Sequence, residues 1–110
     1  SNLGRVRCAL FDDPRAFPRH PSAAVATTHS DVRDGEAVCE FAGPHAGWYA
    51  VAAYHDENDN SSFDRSWIGL PLEGHATSRD VRTHLTVPTF EAAEFPYFGG
   101  VLKLDVHMMY

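Results

Sequence analysis

The sequence has few basic residues, and lysine is almost absent. Its 110 residues include 9 basic and 15 acidic side chains, for a formal charge of −6, and Lys103 is the only lysine. Nucleic acids and anionic membrane surfaces attract cationic patches that neutralise phosphate groups. We therefore expect neither as a partner of this protein.

Other patterns are missing as well. No apolar run approaches the roughly 18 residues that span a bilayer, which argues against membrane insertion. No sustained helical period and no alternation of strands with helices is present, which argues against α and α/β folds. The 7 histidines do not cluster at the spacings typical of zinc sites. These absences leave a small globular β domain as the expected class.

The length and composition fit one domain. A chain of 110 residues with 44% hydrophobic residues can bury a single core. We expect one domain over residues 1–110, with Ser1 and Asn2 typical of the residues left by tag removal.

Short alternating segments separated by turn residues predict the strands. The last segment is the clearest, with Leu102, Leu104 and Val106 on one face and charged residues on the other. Seven segments predict an all-β, antiparallel β-sandwich of immunoglobulin-like or transthyretin-like kind: 4–11, 24–28, 36–41, 48–55, 67–72, 81–87 and 101–110.

Turn and capping signals refine this prediction. Asp34-Gly35 favours a hairpin between segments 24–28 and 36–41. Three prolines in 14–21 exclude regular structure there, so Phe17 is expected to enter the core from a loop. Thr89 is expected to cap a single helical turn before Phe95.

The two cysteines allow two interpretations. Cys8 and Cys39 both occupy inward positions of predicted strands. They are either two buried thiols or one disulfide, and the second requires an oxidising compartment.

The acidic stretch after segment 48–55 carries the main functional hypothesis. Oxygen-bearing side chains recur there at every second residue, as in a loop that wraps a hard cation. Carboxylate, carboxamide and carbonyl oxygens together are the donors that calcium prefers. We therefore predict a calcium site formed by Asp56, Asn58, Asn60, Ser62 and Asp64.

This stretch matches the helix-loop-helix calcium template only in part. Its first, third, fifth and ninth positions agree, but Ser61 stands where glycine is usual and Trp67 where glutamate is usual. Its flanks are apolar strands rather than helices. Any calcium site here would belong to a β protein.

A longer pattern surrounds the acidic stretch. It reads G-x-Y-A, then H-D-E-N-x-N-x-x-x-D, G-x-P-x-E-G and P-x-F-x-x-A-x-F, at Gly47, Tyr49-Ala50, His55 to Asn58, Asn60, Asp64, Gly69, Pro71, Glu73-Gly74, Ser78, Pro88, Phe90, Ala93 and Phe95. This combination resembles the bacterial family called domain of unknown function 2141. The chain carries Asp59 and Ser61 where members of that family usually have glycine.

The resemblance implies a secreted or periplasmic single-domain β-sandwich with no assigned activity. It also draws Glu73 into the predicted calcium site as a further carboxylate. The physiological partner would be a protein or a small molecule, with the domain in a structural or binding role.

Two alternative functions remain open from the sequence. In the first, a carbohydrate or small-molecule module without metal, the acidic stretch would line a cleft beside a sugar-stacking face made by Trp48, Trp67, Tyr54 and Tyr97. In the second, a hydrolase, Ser78 or Ser66 would act with His75, although no nucleophile-elbow motif is present.

Overall fold

A computed structural model describes residues 5–42, 44–56, 75–81 and 88–108. Within these residues there are seven strands and one short helix, α1 (Phe90–Ala93). The predicted strand at 67–72 and residues 82–87 of the predicted strand at 81–87 lie outside the described residues. The strands are β1 (Arg5–Phe11), β2 (Ala26–Ser30), β3 (Glu36–Phe41), β4 (Gly47–Asp56), β5 (His75–Thr77), β6 (Phe95–Tyr97) and β7 (Leu102–His107).

The strands form two antiparallel sheets, which confirms the predicted sandwich-like all-β fold. In the larger sheet the order is β2-β1-β4-β5, and β6 pairs with the beginning of β4. The smaller sheet pairs β3 with β7. Strand β4 is central, because it pairs with β1, β5 and β6. Its pairing with β1 runs from Arg5 opposite Asp56 to Phe11 opposite Ala50.

The main core lies between the sheets. The inward side chains of β1 and β4 meet those of β3 and β7 there, as period-two alternation requires. Their buried members include Val6, Cys8, Leu10, Cys39, Phe41, Tyr49, Val51, Ala53 and Val106.

Cys8 and Cys39 form a disulfide in this core. Their Cα atoms are 6.0 Å apart, and the bond joins β1 of the larger sheet to β3 of the smaller one. Of the two interpretations left open by the sequence, two buried thiols or one disulfide, the structure shows the disulfide.

A second core covers the opposite face of the larger sheet. The alternation in segment 4–11 predicts one buried face for β1, but Ala9 and Phe11 on its other face are also buried. Phe17, from the proline-rich segment, packs there as expected, together with Phe90 of α1. The larger sheet is therefore covered on both faces where β1 and β4 pair at Ala9, Phe11, Ala50 and Ala52.

The predicted hairpin of the second and third strands was wrong. Asp34 and Gly35 do form a tight turn, with φ of 52° and 78°, closed by two backbone hydrogen bonds between Arg33 and Glu36. However, β2 pairs with β1, whereas β3 pairs with β7 in the other sheet. Val32, which lies between β2 and β3 in the sequence, is buried in the main core where the chain crosses from one sheet to the other.

The C-terminal predictions are confirmed. The Thr89 hydroxyl accepts a hydrogen bond from the Ala92 amide at 3.2 Å and so caps α1. In β7, Lys103 and Asp105 are exposed, whereas Leu102 and Val106 are buried. Among the described residues, no helix is long and apolar enough to cross a membrane.

Candidate functional site

The predicted calcium segment begins at the end of the central strand. Asp56 is the last residue of β4, and its backbone lies opposite Arg5 of β1. On the other side, β5 returns antiparallel to β4 with His75 opposite Tyr54. Residues 57–74 therefore connect two strands that are direct neighbours in the sheet.

The other predicted ligands, Asn58, Asn60, Ser62, Asp64 and Glu73, lie outside the described residues. Within the part of the chain that is described, no group of three or more His, Cys, Asp or Glu residues is arranged to hold a metal ion. The calcium site thus stays a prediction.

A charged cleft of about 310 Å³ lies at the same end of the larger sheet as Asp56. Ser30 lines it, and both Ser30 and His55 pair with Val6 at that end. Its other polar lining residues are Asp31, Arg33, Glu36, Asp105 and His107.

His107 connects two carboxylates beside this cleft. Its Nε2 lies 3.0 Å from Glu36 Oε1, and its Nδ1 lies 3.2 Å from Asp80 Oδ2. These side chains come from β7, from β3 and from the 3₁₀ turn Ser78–Asp80. Since the two nitrogens face different carboxylates and all three side chains are exposed, these surface contacts contribute at most about 1 kcal/mol.

Ser78, a candidate nucleophile from the sequence, has a structural position. It is 3% exposed, and its hydroxyl donates to the Ala93 carbonyl oxygen at 2.6 Å. The same Oγ accepts a hydrogen bond from the Val51 amide at 2.9 Å. Ser78 therefore ties β4 to α1, and its proton is engaged by a backbone acceptor rather than by a base.

Two of the four residues considered for a sugar-stacking face are not on the surface. Tyr54 and Tyr97 are buried, and Tyr97 packs edge-to-face against Tyr49 in the core. Trp67 lies outside the described residues. Trp48, by contrast, is 57% exposed at the beginning of β4.

Trp48 lines an open groove of about 450 Å³, which the sequence did not predict. This groove lies where β1 and β3 end and where β2 and β4 begin. Trp48 and Asp56 are eight positions apart on an extended strand, which corresponds to about 26 Å. We call this depression the Trp48 groove and define it by its lining residues Asp12, Val25, Ala42, Pro44, His45 and Trp48.

The two sheets and their bridging disulfide define a small β-sandwich domain. The chain belongs to the family described as an uncharacterized protein conserved in bacteria, domain of unknown function 2141, whose model matches residues 1–103. No curated protein and no solved structure matched the chain.

Several residues of the family pattern lie within the described part of the chain, and they contribute to the packing of the fold. Tyr49, Ala50, His55, Ser78, Phe90 and Ala93 are all buried. This part of the pattern therefore reports packing and hydrogen bonding in the sandwich.

Proposed function

We propose that this protein is an exported, non-catalytic β-sandwich module whose segment from Asp56 to Asp64 binds calcium. The bound ion would stiffen this end of the domain, which would serve a structural role or present a surface to a ligand or a protein. The ligand set is Asp56, Asn58, Asn60, Ser62 and Asp64, with Glu73 as a further carboxylate.

The pairing of β4 with β5 is the observation that supports this proposal most. Tyr54 lies opposite His75, and adjacent strands lie about 4.8 Å apart. Asp56 follows Tyr54 by two residues, and Glu73 precedes His75 by two residues. The two carboxylates are therefore equally far along the chain from one fixed pair, as expected for ligands at the two ends of one loop.

Carboxylate repulsion supports a cation in this segment. Asp56, Glu57, Asp59 and Asp64 fall within nine consecutive positions of a chain whose formal charge is already −6. Like charges confined in a short span repel, and a divalent cation removes that cost.

The disulfide supports export. Cys8 and Cys39 join the sheets through the interior, and both cysteines of the chain are used. Disulfides form and persist in the periplasm and outside the cell, whereas the cytosol keeps thiols reduced. A periplasmic or extracellular location follows as part of the proposal.

Thermal unfolding with and without calcium tests the proposal. Calcium at about 100 times its Kd should stabilise the native state by about 2.7 kcal/mol, which is a rise in Tm of roughly 10 °C for a domain of this size. Magnesium should have a much smaller effect, because it demands a tight octahedral shell.

A double variant isolates the segment. Asp56→Asn with Asp64→Asn should abolish the calcium-dependent rise, whereas Glu40→Gln with Glu91→Gln, which alters exposed carboxylates elsewhere, should retain it. An equal rise in both double variants would contradict the assigned ligands. No rise in the unmodified protein at millimolar calcium would contradict the function itself.

A further inference from the structure

Trp48 occupies an unusual position on the central strand. It shares the outer face of β4 with Ala50 and Ala52, which are buried in the second core. The layer formed by Phe17 and Phe90 ends before it reaches Trp48, which stays 57% exposed. Tryptophan is highly buried on average, so this indole is a large apolar surface left in contact with water.

The exposed indole is part of a concave site. Val25, 49% exposed, lines the same groove, so that two large apolar side chains face one depression. The volume of about 450 Å³ lies in the range of small-molecule sites. A concave apolar surface with a few polar groups is the usual form of such sites.

The backbone around the groove is held in place. Trp48 pairs with Pro96 of β6, and the Val25 amide donates to the Leu10 carbonyl oxygen at 2.8 Å. The Tyr49 hydroxyl donates to the His45 carbonyl oxygen. A ligand would therefore meet a surface that loses little freedom on binding.

The polar lining narrows the class of ligand. Asp12 and His45 are exposed, and among the described residues that line the groove there is no lysine or arginine. An anionic ligand would lack a countercharge beside Asp12, so the ligand is neutral or cationic. Ammonium groups are bound in cages of several aromatic faces. Here Trp48 offers one open face, since Tyr49 is buried.

We propose that the Trp48 groove binds a neutral sugar ring. The C–H face of a pyranose packs on the electron-rich face of the indole. Its hydroxyl groups donate to the Asp12 carboxylate and exchange hydrogen bonds with the His45 imidazole. The groove lies at the opposite end of β4 from Asp56, so this activity is independent of the calcium proposal.

Titrations followed by amide and indole NMR signals test this inference. The probes are cellobiose, lactose, mannobiose and chitobiose, with choline as the cationic comparison, each measured in calcium and in chelator. At least one disaccharide should shift the signals of Trp48 and His45 in a saturable manner at millimolar concentration. The shifts should be the same in chelator.

Variants separate the groove from other exposed aromatics. Trp48→Ala should weaken disaccharide binding at least tenfold, and Asp12→Asn should weaken it while leaving the indole in place. Phe98→Ala, which removes an 87% exposed ring outside the groove, should leave binding unchanged. Saturable shifts by choline alone, no shift with any disaccharide, or equal binding by Trp48→Ala would each overturn the proposal.

Discussion

The two faces of the larger sheet are buried by different means. The inner face packs against a second sheet through a core of aliphatic side chains with Phe41, Tyr49 and Tyr97 among them, and it is tied to that sheet by the Cys8–Cys39 bond. The outer face is lined by Ala9, Ala50 and Ala52 and is covered by aromatic rings that come from a loop and from α1. Small residues on a strand thus permit an irregular segment to close a core that has no third sheet.

Removing the disulfide that joins the two sheets should reduce the stability most. Replacing Cys8 and Cys39 together by alanine should lower the free energy of unfolding by about 4 kcal/mol, because the bond closes a loop with a sequence separation of 31. Urea unfolding measures the loss. The unmodified protein under strong reductant should lose a similar amount, and an unchanged midpoint under reduction would contradict a structural role for the bond.

The outer face should be weakened most by loss of Phe17. Its ring contacts Phe11 and Phe90 edge-to-face, at centroid distances of 5.5 and 6.1 Å. Phe17→Ala should cost about 3 kcal/mol in urea unfolding, since it empties the middle of a three-ring cluster. Phe98→Ala, which removes an exposed ring, should cost close to nothing, and equal costs for the two variants would refute the second core.

Loss of the Ser78 hydroxyl, which joins β4 to α1, should reduce the stability by a smaller amount. Ser78→Ala leaves the buried Val51 amide without its acceptor and the Ala93 carbonyl oxygen without its donor. We expect a loss of about 2 kcal/mol in the same unfolding assay. Ser22→Ala, at an exposed position of a 3₁₀ turn, provides the matched control and should be nearly neutral. A neutral Ser78→Ala would show that the hydroxyl does not tie β4 to α1.

The smallest expected change in stability comes from Asp13, in the turn that precedes Phe17. Hydrogen bonding from the Arg15 amide, with a lesser contribution from the Arg15 side chain, holds the pKa of Asp13 below its ordinary 3.8. A lowered pKa means that the carboxylate contributes stability above pH 3.8, which is lost as the pH falls through the folded-state pKa.

Unfolding measured at neutral and at strongly acidic pH tests this effect. Asp13→Asn should show a slightly smaller acid-induced loss than the unmodified protein. Arg15→Ala should keep most of the effect, since the backbone amide is unchanged. A larger acid loss in Asp13→Asn would reverse the assigned sign.

Local patterns predicted the strands better than their arrangement. The alternation in β1, β3 and β7 and the cap at Thr89 depend on neighbouring residues, so they could be read from the sequence. The transfer of the chain between sheets at Val32 could not, because it depends on long-range pairing. The burial of Ala9 was missed for the same reason, since its cover comes from residues distant in sequence.

The functional features divide in a similar manner. The spacing of oxygen-bearing residues is local and predicted a cation segment at the end of β4. The sequence singled out Trp48 for a possible sugar-stacking face but did not predict the groove, because Asp12, Val25 and Ala42 come from the ends of three other strands and meet Trp48 only in the fold. The position of Trp48 directly after Gly47, at the beginning of β4, was the available signal, since residues at a strand end can lie beyond the cover of the next layer.

The central claim is that the segment between the paired strands β4 and β5 binds calcium. A crystal structure from crystals grown in calcium, with the anomalous signal of the ion recorded, tests it most directly. The account predicts one ion bound by six to eight oxygens at about 2.4 Å, supplied by residues from Asp56 to Asp64 and by Glu73. A well-ordered segment without an ion at saturating calcium would contradict it.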